Sequence, residues 1–179
     1  MSAVSIRPAR AADAEAIAEV HAASWRDVYQ DTMPADYLRD RALADLTRHW
    51  REAELRADEV ILVATIGDEV VGFIAIYRRP EHGPTPYLDN LHVRPSNRSG
   101  GLGGRLLIEA ANQLRRLGEN TLYLWLVDGN DAAQRFYERL GGLPTERSSK
   151  EVFGVPLKTL KIEWDDLGPI IRGATAASQ

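Results

Sequence analysis

Hydrophobic positions along the chain change period from block to block, and each change marks an element. A short strand at about residues 3 to 7 ends at Pro8. Ala14, Ile17, Ala18, His21, Trp25 and Val28 then recur at helical spacing, which predicts a first helix. After the break at Thr32-Met33-Pro34, the residues Leu43, Leu46, Trp50, Ala53 and Ala57 keep one face of a second helical region apolar through about residue 57. The runs 60–66 and 70–77 are β-branched and flank Gly67-Asp68-Glu69, a pairing that predicts an antiparallel hairpin. Pro80, Pro84 and Pro86 forbid regular pairing and mark a surface loop, so Tyr87 to Val93 follows as a central strand.

Beyond a glycine-rich turn, Leu106, Leu107, Ala110, Ala111, Leu114 and Leu117 form a helical stripe that Gly118 is suited to end. Thr121 to Val127 reads as a buried strand. Asp128-Gly129-Asn130-Asp131 then turns into a helix from about Ala132 to Leu140, with Asn130 or Asp131 as its cap and Gly141-Gly142 closing it. Strands near 143–152 and 155–164 complete a hairpin around Phe153-Gly154. The order β-α-α-β-β-β-α-β-α-β-β predicts an α/β fold, a mixed sheet with helices on both faces, in one domain over residues 1–164. The final segment, 165–179, is small and polar enough to be a mobile tail unless a partner holds it, and no chemistry is assigned to it.

Composition narrows the partners. A net charge of −4 gives no general attraction to nucleic acid or anionic lipid, so an anionic ligand must be met by a local basic patch. The absence of cysteine excludes disulfides, thiolate metal sites and a Cys nucleophile. Asp13, Glu15 and Glu19 interrupt the amino-terminal region, which lacks the apolar core of a signal peptide, and the longest apolar run, Leu122 to Val127, is too short to span a bilayer. The expectation is a cytoplasmic protein with no membrane or nucleic-acid partner.

The most informative stretch runs from Val93 to Leu107, where Gly100, Gly101, Gly103 and Gly104 join a strand to a helix. Glycines let consecutive N–H groups turn toward one point, and a helix start adds donors and the positive end of its dipole, so the junction suits a phosphate. A P-loop would need Lys and then Ser or Thr after the last glycine, but Arg105-Leu106 stands there. A dinucleotide fingerprint starting at Gly101 finds Leu106 in place of its third glycine.

The pattern Arg-x-x-Gly-x-Gly is met by Arg98, Gly101 and Gly103, preceded by Leu91-His92-Val93-x-Pro95. One strand later comes Asn130-x-x-Ala133-x-x-Phe136-Tyr137-Glu138-x-Leu140-Gly141. Together with the Ile6-Arg7-Pro8-Ala9 start, these segments resemble the GNAT superfamily of acyl-CoA-dependent N-acyltransferases over roughly residues 3 to 164. The resemblance implies the GNAT fold with a splayed central strand pair, acetyl-CoA as acyl donor, and no metal. It places the backbone amides of Ser99, Gly100, Gly101, Leu102, Gly103 and Gly104, with Arg98, around the cofactor pyrophosphate. Many members have glycine directly after the arginine, and Ser99 stands there instead. The main chain near Leu91 and Val93 would pair with pantetheine, and Asn130, Phe136 and Tyr137 would be the cofactor-binding positions of the later helix.

Acyl transfer from a thioester to an amine needs a deprotonated amine, a donor for the tetrahedral oxyanion and a proton for the departing thiolate. The resemblance would make an N–H near Leu91, held rigid in its strand, the natural oxyanion donor. Tyr137 matches the tyrosine that protonates the thiolate in many members, its alternative role being aromatic packing beside Phe136. Where several members carry a glutamate before the cofactor loop, this strand has none; Asp89 is the favoured base, through a water, with His92 the alternative on the opposite face. Trp25 and Tyr29, one turn apart, are candidate acceptor-binding residues or simply core. Arg94, Arg98, Arg105, Arg135 and Arg139 can meet phosphates or merely be solvated. The reading is an N-acetyltransferase acting on a small-molecule primary amine, with a protein or peptide amine and a non-catalytic acyl-CoA sensor as alternatives. A homodimer is left open.

Overall fold

The computed structural model describes residues 3–152 and 155–176. The chain divides into two compact units, one formed by residues up to Ala75 together with Asn90–Leu107, the other by Ile76–Asp89 and the residues from Ile108 onward.

The first unit contains β1 (Val4–Pro8), α1 (Ala14–Val28), α2 (Ala35–Asp40), α3 (Ala42–Glu52) and β2 (Val60–Ile66). It also holds most of β3 (Glu69–Tyr77), the second half of β4 (Tyr87–Val93) and the start of α4 (Leu102–Arg116). β1 pairs antiparallel with β2 from Val4↔Ile66 to Pro8↔Leu62. Gly67 supplies the positive φ of 59° at the β2–β3 turn. β2 and β3 are buried along almost their whole length, as strands covered on both faces must be. α1 buries Ile17, Ala18 and Val20, and α3 buries Leu46 and Trp50. The second helical region is shorter and broken compared with the sequence expectation. Arg41 leaves helical geometry at φ −123°, ψ −33°, and α3 stops before Ala53 because the chain must reverse into β2. A turn closed by the Glu59 N–H to Arg56 carbonyl bond (3.2 Å) makes that reversal, so Ala57 lies outside any helix.

The second unit contains β5 (Leu122–Val127), α5 (Asp131–Arg139), β6 (Leu143–Val152), β7 (Val155–Trp164) and α6 (Gly168–Ala176). β5 pairs antiparallel with β7 from Leu122↔Trp164 to Val127↔Thr159, and parallel with β4 at Tyr87↔Tyr123. Strand neighbours run β1-β2-β3-β4-β5-β7-β6, giving the seven-stranded mixed α/β sheet that the order of elements predicts. The β6–β7 register slips between Pro144 and Glu146, where proline has no N–H for the ladder. The expected turn at Phe153-Gly154 lies outside the described residues.

The last segment departs from the expectation of a mobile tail. Residues 168–176 form α6, and Leu167 and Ile170 are fully buried. Asp166 accepts the Gly168 N–H (2.9 Å), and the Leu167 N–H is taken by Asn120 O (3.0 Å). Apolar Leu167-x-x-Ile170 anchors what composition alone marks as loose; residues 177–179 lie outside the described residues. Among the described residues no helix is long and apolar enough to cross a membrane.

Candidate active site

The glycine turn is assembled by three backbone changes in sequence. β4 ends at Val93, Pro95–Gly100 form a single 3-10 segment, and Gly101 turns left-handed at φ 66°, ψ 15° so that α4 starts at Leu102. Arg105 donates its N–H to the Gly101 carbonyl (3.2 Å), and the N–H groups of Leu102, Gly103 and Gly104 are those that a helix start leaves without an acceptor inside the helix. Leu102 is buried and pins the turn, whereas Ser99, Gly100 and Gly101 are exposed. A Cβ built on Gly100, Gly101 or Gly104 meets no atom within 4 Å. The glycines therefore leave open space beside the turn, which suits the approach of an anionic group such as a diphosphate. A hollow of about 210 Å³ on the flank of the turn is bordered by Ser96, Asn97, Ser99 and Arg105, with Val4 and Ile66 as its apolar wall.

The arginines near the turn differ. The Arg94 guanidinium bonds Val70 O (3.0 Å) and pairs with Glu19 (3.3 Å) and Glu69 (3.5 Å). Arg98 donates to Val93 O (3.2 Å) and Ser24 Oγ (3.4 Å) and is paired with Asp27. Arg105 is exposed and has no ion pair among the described residues.

On β4, Val93 packs toward β3 and α4, because a Cβ on Gly72 would touch both Val93 Cγ2 and Leu106 Cδ1 at 3.3 Å. His92 takes the other face, with Nδ1 2.8 Å from Ser24 Oγ and its ring stacked on His21 at 4.7 Å. Trp50 Nε1–H donates to His21 Nδ1 (3.1 Å), which leaves the His21 proton on Nε2. Burial pushes His92 down to about 4, with Arg98 adding to the shift, and holds His21 well below the usual histidine range, so both rings are neutral at neutral pH. Trp25 makes an edge contact with His21 (4.9 Å) and another with Tyr29 (5.8 Å), both rings half-buried beside this cluster.

The second unit positions the remaining candidates. Asp89 is exposed at its place in β4. Asn130 caps α5, its Oδ1 accepting the Ala133 N–H (3.2 Å). Tyr137 is 9% exposed, with Phe136 edge-on at 5.0 Å and Trp164 at 5.9 Å. The ring is packed, and among the described residues the Tyr137 hydroxyl makes no hydrogen bond. Burial raises its pKa and keeps the proton on.

The first unit thus contains Trp25, Tyr29, Leu91, Val93 and the segment Arg98–Gly104; the second contains Asp89, Asn130, Phe136 and Tyr137. Sequence reasoning missed Ser24 and Asp27, which lie one turn apart on α1 and hold His92 and Arg98. Their only trace in the sequence is their polar character beside an apolar stripe.

Comparison with known proteins assigns the class. The model of the acetyltransferase (GNAT) family matches residues 16–142, and the chain belongs to that family, whose members are acyltransferases. The uncharacterized N-acetyltransferase YuaI of Bacillus subtilis (strain 168) is 26% identical over 169 residues, 93% of this chain and 96% of YuaI. The L-amino acid N-acyltransferase MnaT of Escherichia coli (strain K12) is 27% identical over 151 residues, 79% of this chain and 81% of MnaT. The solved structure of YncA from Salmonella typhimurium, described as a candidate acetyltransferase with its cofactor acetyl-CoA, superposes with a TM-score of 0.69 at 25% identity, covering 92% of this chain and 94% of YncA. The chain is a GNAT N-acetyltransferase with an acyl-CoA donor.

Proposed function

We propose that this single-domain enzyme transfers the acetyl group of acetyl-CoA to the primary amine of a small molecule, by direct attack with both substrates bound. The observation that carries the reading is the turn from Ser99 to Gly104, where the exposed residues Ser99–Gly101, open space at Gly100, Gly101 and Gly104 and the start of α4 at Leu102 combine. The donor supplies an activated thioester carbonyl. The turn's N–H groups, Ser99 and Leu102 included, hold the diphosphate, and the Leu91 N–H, fixed in β4, stabilises the oxyanion without reorganising. Tyr137 gives its proton to the departing thiolate, a role supported by its packed ring and by a hydroxyl that makes no hydrogen bond among the described residues and keeps its proton at neutral pH. Asp89, exposed to water, takes the amine proton through a solvent molecule. Trp25 and Tyr29 offer aromatic faces to a cationic acceptor. The name of MnaT supports an amino acid as that acceptor.

The test is thiol release from acetyl-CoA in the presence of single amines, L-amino acids among them. Release that depends on one small amine is the expected result. Release only with peptides would transfer the reading to a protein substrate, and tight coenzyme A binding without turnover on any amine would make the chain a sensor.

A further inference from the structure

Arg98 opens the glycine motif and is the arginine best placed in sequence to meet a phosphate. Its guanidinium is instead committed to partners within the chain. Nε donates to Val93 O at the end of β4 (3.2 Å), one terminal nitrogen pairs with Asp27, and the other reaches Ser24 Oγ (3.4 Å). Three elements converge on one side chain: the strand that precedes the turn, the turn itself and the last two turns of α1. Ser24 continues the chain to His92 Nδ1 (2.8 Å), which follows Leu91 on β4.

We infer that Arg98 is a positioning residue, a clasp that fastens the glycine turn to α1 and β4 through Asp27, Ser24 and the Val93 carbonyl, while Arg105 supplies the positive charge for the diphosphate. This inference rests on the acetyl-CoA reading of the turn. The guanidinium fork suits the task because it reaches several acceptors at once in fixed directions, which a lysine ammonium does not. The turn needs such a clasp. Gly100 and Gly101 give it backbone freedom, and freedom has to be removed before binding if the N–H groups are to be aimed in advance. Arg105, exposed in the first turn of α4 and unpaired among the described residues, keeps its charge available.

The experiment is a double-mutant cycle of R98A and D27A, with coenzyme A as the probe and amide hydrogen exchange of the ligand-free protein as a second readout. Both side chains are substantially exposed, 38% and 50%, so the variants are expected to fold. A clasp predicts that each single variant weakens coenzyme A binding by about threefold to tenfold, and that the double variant is no weaker than the worse single. It further predicts that R98A keeps the wild-type salt dependence of binding, that R105A flattens it, and that R98K fails to rescue. If Arg98 met the diphosphate directly, D27A would release it and leave affinity unchanged or improved, R98A would flatten the salt dependence, and R98K would restore binding. Any of those outcomes overturns the clasp. Should the wild-type chain bind no coenzyme A, the functional reading fails separately, and exchange decides the clasp alone: faster exchange of the Ser99–Gly104 amides in both D27A and R98A supports it, and unchanged exchange overturns it.

Discussion

Gly101 and Gly104 serve one turn in different ways, and substitution separates them. Gly101 sits at φ 66°, where any side chain is strained, so Gly101→Ala should cost about 1–2 kcal/mol of stability even though space is open around it. Gly104 lies in α4 with no positive φ and nothing within 4 Å of a Cβ. Gly104→Ala should therefore leave stability unchanged or raise it by up to about 1 kcal/mol, read as an equal or higher melting temperature, because alanine is the better helix former. Coenzyme A titration of the same variant should show weaker binding, since the new methyl occupies the open space beside the turn. Loss of stability with intact affinity would contradict the assignment of that face. At Tyr137, replacement by Phe should lower kcat by about 10²-fold or more and spare coenzyme A affinity, because only the proton donor is removed. A raised hydroxyl pKa carries a sign with it: the donor stays protonated through its usual value of about 10, so the rate should show no alkaline decline from this group below that pH. An unchanged kcat in Tyr137→Phe would remove the role.

At the scale of elements, what could be read from the sequence followed the strength of periodic signals. The stripe of α4 and helix α5 were legible because apolar spacing and terminal glycines agree there; Gly118 at φ 86° and Gly141 at φ 85° occupy the left-handed positions such ends require. The break at Arg41 was not legible, since Leu38 and Leu46 stay on buried faces across it and periodicity continues through the interruption. α6 was hidden by composition: two apolar residues in a run of small ones decide its fate through tertiary burial, which no local pattern encodes. The glycine turn was readable as an anion site because its chemistry is local. The Arg98–Asp27–Ser24 set was not, because its partners lie about seventy residues away and only folding joins them. Gly142 gives a test at this scale. A Cβ there would stand 2.6 Å from Ile162 Cγ2, 2.7 Å from Trp164 Cζ2 and 3.0 Å from Tyr137 O. Gly142→Ala should destabilise by about 1–3 kcal/mol, read as a lower denaturation midpoint. If the midpoint does not move, the α5–β6 junction is looser than this packing describes.

For the whole molecule, the pH dependence of stability should be governed by the two stacked histidines rather than by its carboxylates over the mildly acidic range. His92 titrates at about 4 in the folded chain and His21 well below its usual value, both chiefly through burial, whereas in the unfolded chain each returns to about 6.5. Between those values the unfolded chain binds more protons than the folded one, so stability is fully present above about pH 6.5 and is lost as pH falls toward 4. Asp13 acts in the same direction but later. Its hydrogen bonds from Arg7 hold it below the usual carboxylate range, so its contribution persists until the pH drops beneath about 3.8. The half-buried ring of His92 keeps some access to water, which reduces its share to on the order of 2 kcal/mol. Melting temperatures measured from pH 7.5 to 4.5 should therefore decline steadily from about pH 6.5 downward. In His92→Phe, which keeps an aromatic ring against His21 and Phe73, the decline should be shallower while the value at pH 7.5 stays within the range of an ordinary conservative core change. A flat profile in the wild type, or an unaltered slope in the variant, would show that the histidines accept protons without opposing the fold.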